Sequence, residues 1–198
     1  MTSASFQNPM IQSNYVGKGI QIPTIRGIFV NSHVNAVRKA KGKAGVWLLE
    51  MRFGRPLIFR STEPVPISDE VKLIEFALEM LNETPIPPTE LDFEAGRLHF
   101  KNFATTPLGN FLLSLFKDDF KLVMLRAPSV AKHIFDGVTF CSKDMGPAIV
   151  KVSMSNTAYP PEHFHGVFSE WMHFCGLHGA VSVGRTGDGG CEYTMKWL

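Results

Sequence analysis

Pro161-Glu-His-Phe-His-Gly-Val-Phe-Ser-Glu-Trp-Met-His-Phe-Cys175 carries apolar residues at helical spacing, and what flanks it decides the fold. Before it, Val150, Val152 and Met154 alternate with Lys151, Ser153 and Ser155. After it, Cys191, Tyr193, Met195 and Trp197 alternate with Glu192, Thr194 and Lys196. Period two, then 3.6, then two again reads as strands around an amphipathic helix. Each alternating strand has one polar face, so the sheet is expected to be antiparallel and wet on one side. The spacing predicts strands at about 137–142, 147–155, 179–184 and 190–197. The last two are joined by the glycine-rich loop Gly184–Gly190.

Upstream the pattern is helical. Ile25–Val30 is either a short strand or an extended lead-in. Asn31 and Ser32 suit the N-cap of a helix through Ala40, Gly42 interrupts, and Ala44–Phe53 continues until Gly54. Ser68-Asp-Glu opens a helix whose stripe is Val71, Ile74, Ala77, Leu78 and Leu81. Thr89 caps a helix to about Phe103. Thr106-Pro107 reads as N-cap and first helical residue of the next, and 118–135 is helical with Pro128 kinking or restarting it. The expected fold class is α+β: a helical N-terminal half followed by a four-stranded antiparallel sheet, strand-strand-helix-strand-strand, with helices on one face. Residues 1–24 are expected to be flexible or extended, and 25–198 to form a single α+β domain.

The 198 residues include 44% apolar and 19% charged, the latter below the usual quarter. Fewer charges leave more apolar surface for a ligand or partner. A formal charge of +2 does not argue for nucleic acid, and the cluster Arg38, Lys39, Lys41, Lys43 reads as a solvated helix face. No apolar run reaches the length of a membrane span, and the N-terminus lacks a signal-peptide pattern. Three cysteines without a Cys-x-x-Cys pair fit a reducing cytoplasm.

Catalytic signatures are absent: no G-x-S-x-G, no phosphate-binding loop, no H-E-x-x-H and no dinucleotide fingerprint. Cys141, Cys175 and Cys191 read as small buried hydrophobes, and a helix C-terminus would raise the Cys175 thiol pKa. His163 and His165 stand two apart on a helix, so they point in different directions and do not share one ion. The seven histidines are therefore read as surface and cap residues, with neither metal nor cofactor expected. His99 and His133, beside aromatic helical segments, are the positions that would suit an axial haem ligand. Arg97 stands three residues after Glu94, an ion-pair spacing, and is expected to be structural. The alternative makes Arg97 and His33 polar handles of a ligand pocket.

Gly-Ile-Phe-Val-Asn-Ser-His-Val-Asn-Ala-Val (27–37), Arg-Phe-Gly-Arg-Pro-Leu (52–57), Phe-Glu-Ala-Gly-Arg-Leu-His-Phe (93–100) and Thr-Pro-Leu-Gly (106–109) together resemble an uncharacterised bacterial family expanded as paralogues in myxobacteria. More remotely, the order of elements is similar to that of vinyl-reductase-type, haem-NO-binding and TRAPP small-subunit domains. Gly-Asp-Gly-Gly-Cys-Glu-Tyr-Thr-Met (187–195) looks like the ending of the vinyl-reductase type, although only Cys191 matches its cysteines. The Tyr-x-Ser-x-Arg clamp of the haem-binding relatives is missing. This resemblance implies a small-molecule or lipid binder, often dimeric.

The functional expectation is a non-catalytic cytoplasmic ligand-binding or regulatory domain. Phe111, Leu115, Phe120, Met124, Phe164, Phe168 and Trp171 are expected to line an apolar pocket between the helical half and the sheet, unless they form only core. The alternative is a protein-interaction module in a signalling or motility complex, with a protein partner or a second copy as its target.

Overall fold

The computed structural model describes residues 22–116, 119–187 and 189–198. The expected N-terminal segment lies outside them except for its last three residues. The elements run β1 (Thr24–Arg26), α1 (Gly27–Phe53), β2 (Pro64–Pro66), α2 (Ile67–Leu81), α3 (Leu91–Ala104), α4 (Pro107–Phe116), α5 (Phe120–Ala131), β3 (Phe135–Asp136), β4 (Thr139–Gly146), β5 (Ile149–Ser155), α6 (Pro161–Phe174), β6 (Gly179–Arg185) and β7 (Cys191–Trp197). The fold is α+β, with a helical N-terminal half and an antiparallel four-stranded sheet ordered β4-β5-β7-β6.

The sheet follows its alternation. Val150, Val152 and Met154 pair with Met195, Tyr193 and Cys191 on the buried face. Lys151 and Glu192, from the opposite face, form an ion pair at 2.7 Å. One continuous core joins this sheet face to α1, α3, α5 and α6. Among the described residues, no helix is long and apolar enough to cross a membrane.

Several local features depart from expectation, among them Ser68 and Thr89, which cap no helix: α2 begins at Ile67 after Pro66 and α3 at Leu91 after Glu90, neither with a side-chain cap. α1 begins at Gly27, four residues before Asn31, directly after the short strand β1. β1 is the centre of a second small sheet, β2-β1-β3, absent from the sequence reading. Its β2 is Pro64-Val65-Pro66 at a sheet edge, where proline's missing N–H is tolerated. Cys141 is exposed on β4 and Cys175 half-buried, so only Cys191 is a buried hydrophobe.

Elsewhere the punctuation acts as its chemistry dictates. Gly42 breaks the helical dihedrals inside α1 at φ 67°, and Gly54 closes it in the left-handed region. Thr106 accepts from the Gly109 N–H at 3.1 Å, capping α4. Pro128 sits inside α5 and cannot donate to the Met124 carbonyl. The Ser142 hydroxyl of β4 donates to that carbonyl at 2.7 Å, tying the proline-bearing helix to the sheet.

Candidate functional site

Four helices each bring a polar residue on a mainly apolar buried stripe into one cluster. α1 contributes His33 among Phe29, Val30, Val34 and Val37; α2 contributes Glu70 ahead of Leu73 and Ile74. α3 contributes His99 beside Phe100 and Phe103, and α6 contributes His163 beside Phe164 and Val167. These four side chains meet in the interior. Glu70 and His33 are fully buried.

The contacts are short. His33 Nε2 lies 2.7 Å from Glu70 Oε1, and His99 Nδ1 lies 3.4 Å from the same oxygen. His99 Nδ1 is 2.9 Å from His163 Nε2. His33 Nδ1 is 2.9 Å from the side-chain amide of Asn102, one helical turn after His99 on α3. The Tyr159 ring stacks on His163 with centroids 4.6 Å apart. The ligand atoms of His33, Glu70 and His99 all fall within 4.8 Å of one another, the arrangement of a metal-binding triad.

Glycine makes this proximity attainable. A Cβ on Gly96 would overlap the His163 carbonyl, and one on Gly166 would overlap the Phe93 carbonyl. α3 and α6 therefore pack backbone to backbone, which lets short imidazole side chains meet across the interface.

Electrostatics keep the cluster anionic at the carboxylate and neutral at two rings. Burial raises the Glu70 pKa, but His99, then the hydrogen bond and charge of His33, more than offset it and draw the carboxyl down to about 2. Burial pushes His99 down to about 4 and His163 to about 3. Burial, followed by the Glu70 charge, lifts the Tyr159 phenol far above neutrality. Among the described residues, Glu70 Oε2 and the Tyr159 hydroxyl are the buried side-chain polar atoms without a hydrogen bond. Orphaned buried polar atoms are costly and need an explanation.

Beside this cluster lies an apolar cavity of about 70 Å³ between α3, α5, α6 and β4, with His99 in its wall. Met124, Phe164, Phe168 and Trp171 line it, joined by Phe100, Val123, Ala127, Phe140 and others. The remaining residues expected at a pocket lie elsewhere. Phe120 is buried against Trp197. Phe111 and Leu115 are exposed on α4, because that helix presents its 111/115 side to solvent. His33 sits in the polar cluster. Arg97 is partly exposed on α3, bridging Glu94 at 3.0 Å and Glu170 of α6 at 2.7 Å.

The reading of all histidines as surface or cap residues is corrected for His33, His99 and His163. Each is followed directly by an apolar residue, Val34, Phe100 or Phe164, and burial follows the stripe rather than the residue's own polarity. Glu70 was passed over as a dipole-compensating acid in the first turn of α2. Its place three residues before Leu73 and four before Ile74 was the signal that it faces inward.

Solved structures of similar fold are H-NOX proteins. Tt H-NOX, as a doubly substituted variant, shares 16% identity over 87% of this chain and 94% of its own, with a TM-score of 0.63. The Fe(II) unliganded H-NOX protein from K. algicida shares 12% over 87% and 96%, with a TM-score of 0.58. An oxygen binding H-NOX domain related to soluble guanylate cyclases shares 16% over 87% and 94%, with a TM-score of 0.57. At such identities the likeness establishes the fold.

The haem implied by that fold does not fit these residues. A cavity of about 70 Å³ is far below the ~300–1,000 Å³ of ordinary cofactor and ligand pockets, and no cationic side chain lines it to meet propionates. His133, the other position suited to an axial ligand, is not among its lining residues. No functionally curated protein matches the chain in sequence. The family described as "protein of unknown function (DUF2378)" matches residues 20–198, nearly the whole length, and the chain belongs to that family.

Proposed function

We propose that this chain is a non-catalytic, cytoplasmic regulatory domain that binds an apolar molecule of two or three heavy atoms. The observation that carries this reading is the apolar cavity beside His99. Its volume of about 70 Å³ is roughly half that of an engineered cavity (~150 Å³) that stays dry and takes up benzene or xenon. Ring-sized ligands are thus too large, and diatomic or triatomic molecules match. The likeness to a protein described as oxygen binding supports the same class of ligand. Occupancy would add dispersion contacts to α5, whose Met124 carbonyl is held by Ser142, so the ligand bears on the helix–sheet junction.

Xenon tests the cavity directly. Dissolved xenon-129 is expected to show a saturable shift with the wild-type protein and to lose it with Ala127→Leu, which fills the space from α5. A shift that never saturates, or one unchanged by Ala127→Leu, would overturn the reading. Native mass spectrometry of gently purified protein then identifies any retained molecule.

A second reading, a protein-interaction module, is favoured by one feature of α1. Trp47, Leu48 and Met51 stand exposed together, at 58%, 53% and 65%, along one side of the helix. Exposed apolar stripes of this kind mark interaction surfaces. Light scattering of wild type and of Trp47→Glu/Met51→Glu discriminates self-association through this stripe from a monomeric domain.

A further inference from the structure

We propose that His33, Glu70 and His99, with His163 next to them, form a mononuclear binding site for a divalent first-row transition ion of the zinc or iron(II) class. The proposal uses the polar cluster and shares only His99 with the cavity, so either can fail without the other.

Donor chemistry points to this class of ion. Imidazole nitrogens with one carboxylate suit zinc and iron(II), whereas calcium and magnesium require oxygen ligands. A tetrahedron with metal–nitrogen bonds of ~2.05 Å has ligand–ligand edges of about 3.3 Å. The observed separations are 2.7 Å, 3.4 Å and 2.9 Å along His33–Glu70–His99–His163. The shortest, a hydrogen bond whose proton an ion would displace, must open by roughly 0.6 Å to meet that edge, and the His99–His163 hydrogen bond at 2.9 Å must open as His99 Nδ1 turns to the ion. The His99–His163 proton stays on His163 Nε2, which leaves the His99 Nδ1 lone pair for the ion, and the proton between His33 and Glu70 has a destination. It moves to His33 Nδ1, and the Asn102 amide, 2.9 Å away, turns its oxygen to accept it. Such an outer hydrogen bond orients metal-bound imidazoles generally.

Two further observations are independent of the spacing. Glu70 Oε2 and the Tyr159 hydroxyl are buried and adjacent, yet no hydrogen bond of ordinary length joins them. A bound ion engages the first as a second carboxylate oxygen or holds a water that satisfies both. A fully buried carboxylate is also an unusual component of an apolar core unless a positive charge is fixed beside it. The site is closed, so the ion enters as the chain folds.

The test is the metal content of the full-length protein produced in zinc-supplemented medium, with cobalt(II) substituted for spectroscopy. One equivalent per chain is expected, with visible d–d bands of nitrogen and oxygen ligation and X-ray absorption showing at least two imidazoles. His99→Gln and Glu70→Gln should each weaken retention about a hundredfold or more. His165, His173 and His178 border one surface groove, where adventitious zinc would collect. Their joint change to Gln should leave retention unchanged. Loss of the ion in that triple variant, substoichiometric metal in wild type, or fewer than two imidazoles in the absorption spectrum would each overturn the site. The last measurement needs only wild-type protein and decides the matter even where a buried variant does not fold.

Discussion

α3 and α6 are tied together by two polar contacts of similar length in different surroundings. His99 meets His163 at 2.9 Å in the interior, next to Glu70. On the same helices, Arg97 meets Glu170 at 2.7 Å, with Lys101 at 3.3 Å from the same carboxylate, but Arg97 keeps a third of its side chain in solvent. Distance alone would rank these ties as equals. Water separates them: it screens the guanidinium pair, while the buried cluster has only its own members to satisfy each charge. The dry tie is therefore sensitive to any lost partner and the wet one tolerant.

The strongest way to break this comparison is Glu70→Ala. Removing one partner of a buried pair is expected to cost about 4 kcal/mol in urea unfolding. A loss under about 1 kcal/mol would put the cluster on a par with the exposed pair. Next is Gly96→Ala, whose Cβ collides with the His163 carbonyl and forces α3 from α6. It should cost about 3 kcal/mol, as overpacking against rigid backbone does. An unchanged melting temperature would mean that the close approach is not required for stability.

Acid sharpens the contrast in metal-free, chelator-treated protein. The folded pKa values of His99 and His163 lie below the ordinary 6.5, at about 4 and about 3. Below pH 6.5 the unfolded chain takes up protons that the folded chain refuses, so stability falls as pH drops toward 4. Glu70 and Glu170, both depressed below 4.5, withdraw their contributions only under that value. Between pH 7 and 5 the buried cluster thus acts without the exposed pair, and a loss of roughly 2 kcal/mol per histidine, about 4 kcal/mol for the two, is expected. A flat stability profile over that interval would show that burial does not hold the rings neutral. The smallest effect belongs to Arg97→Met, about 1 kcal/mol or less, since Glu170 retains Lys101 and the site is partly solvated. A loss of 3 kcal/mol would erase the distinction between the two ties.

Much of the architecture was legible. Alternation in 150–155 and 191–197 and the helical spacing between them located β5, β7 and α6 to within two residues. Gly42, Gly54 and Thr106 marked breaks and caps where they fall, whereas α5 runs through Pro128 without restarting. The small sheet β2-β1-β3 was not, because strands of three, three and two residues are too short to display a period. For the site, Met124, Phe164, Phe168 and Trp171 were named together and line one cavity, while Phe111 and Leu115 have the same composition and stand in solvent.

The chain's own periodicity determined which elements form and which face of each is buried, since that depends on neighbours three or four residues away in a helix and two in a strand. It also set polar residues within the buried stripes of four helices. Which stripes face one another was decided only by the tertiary structure. His33 reaches Glu70 across 37 positions, His99 reaches His163 across 64, and Asn102 reaches His33 across 69. A buried imidazole and a surface imidazole obey the same local rules. They become different chemical groups only when packing removes water from one of them and sets a carboxylate beside it.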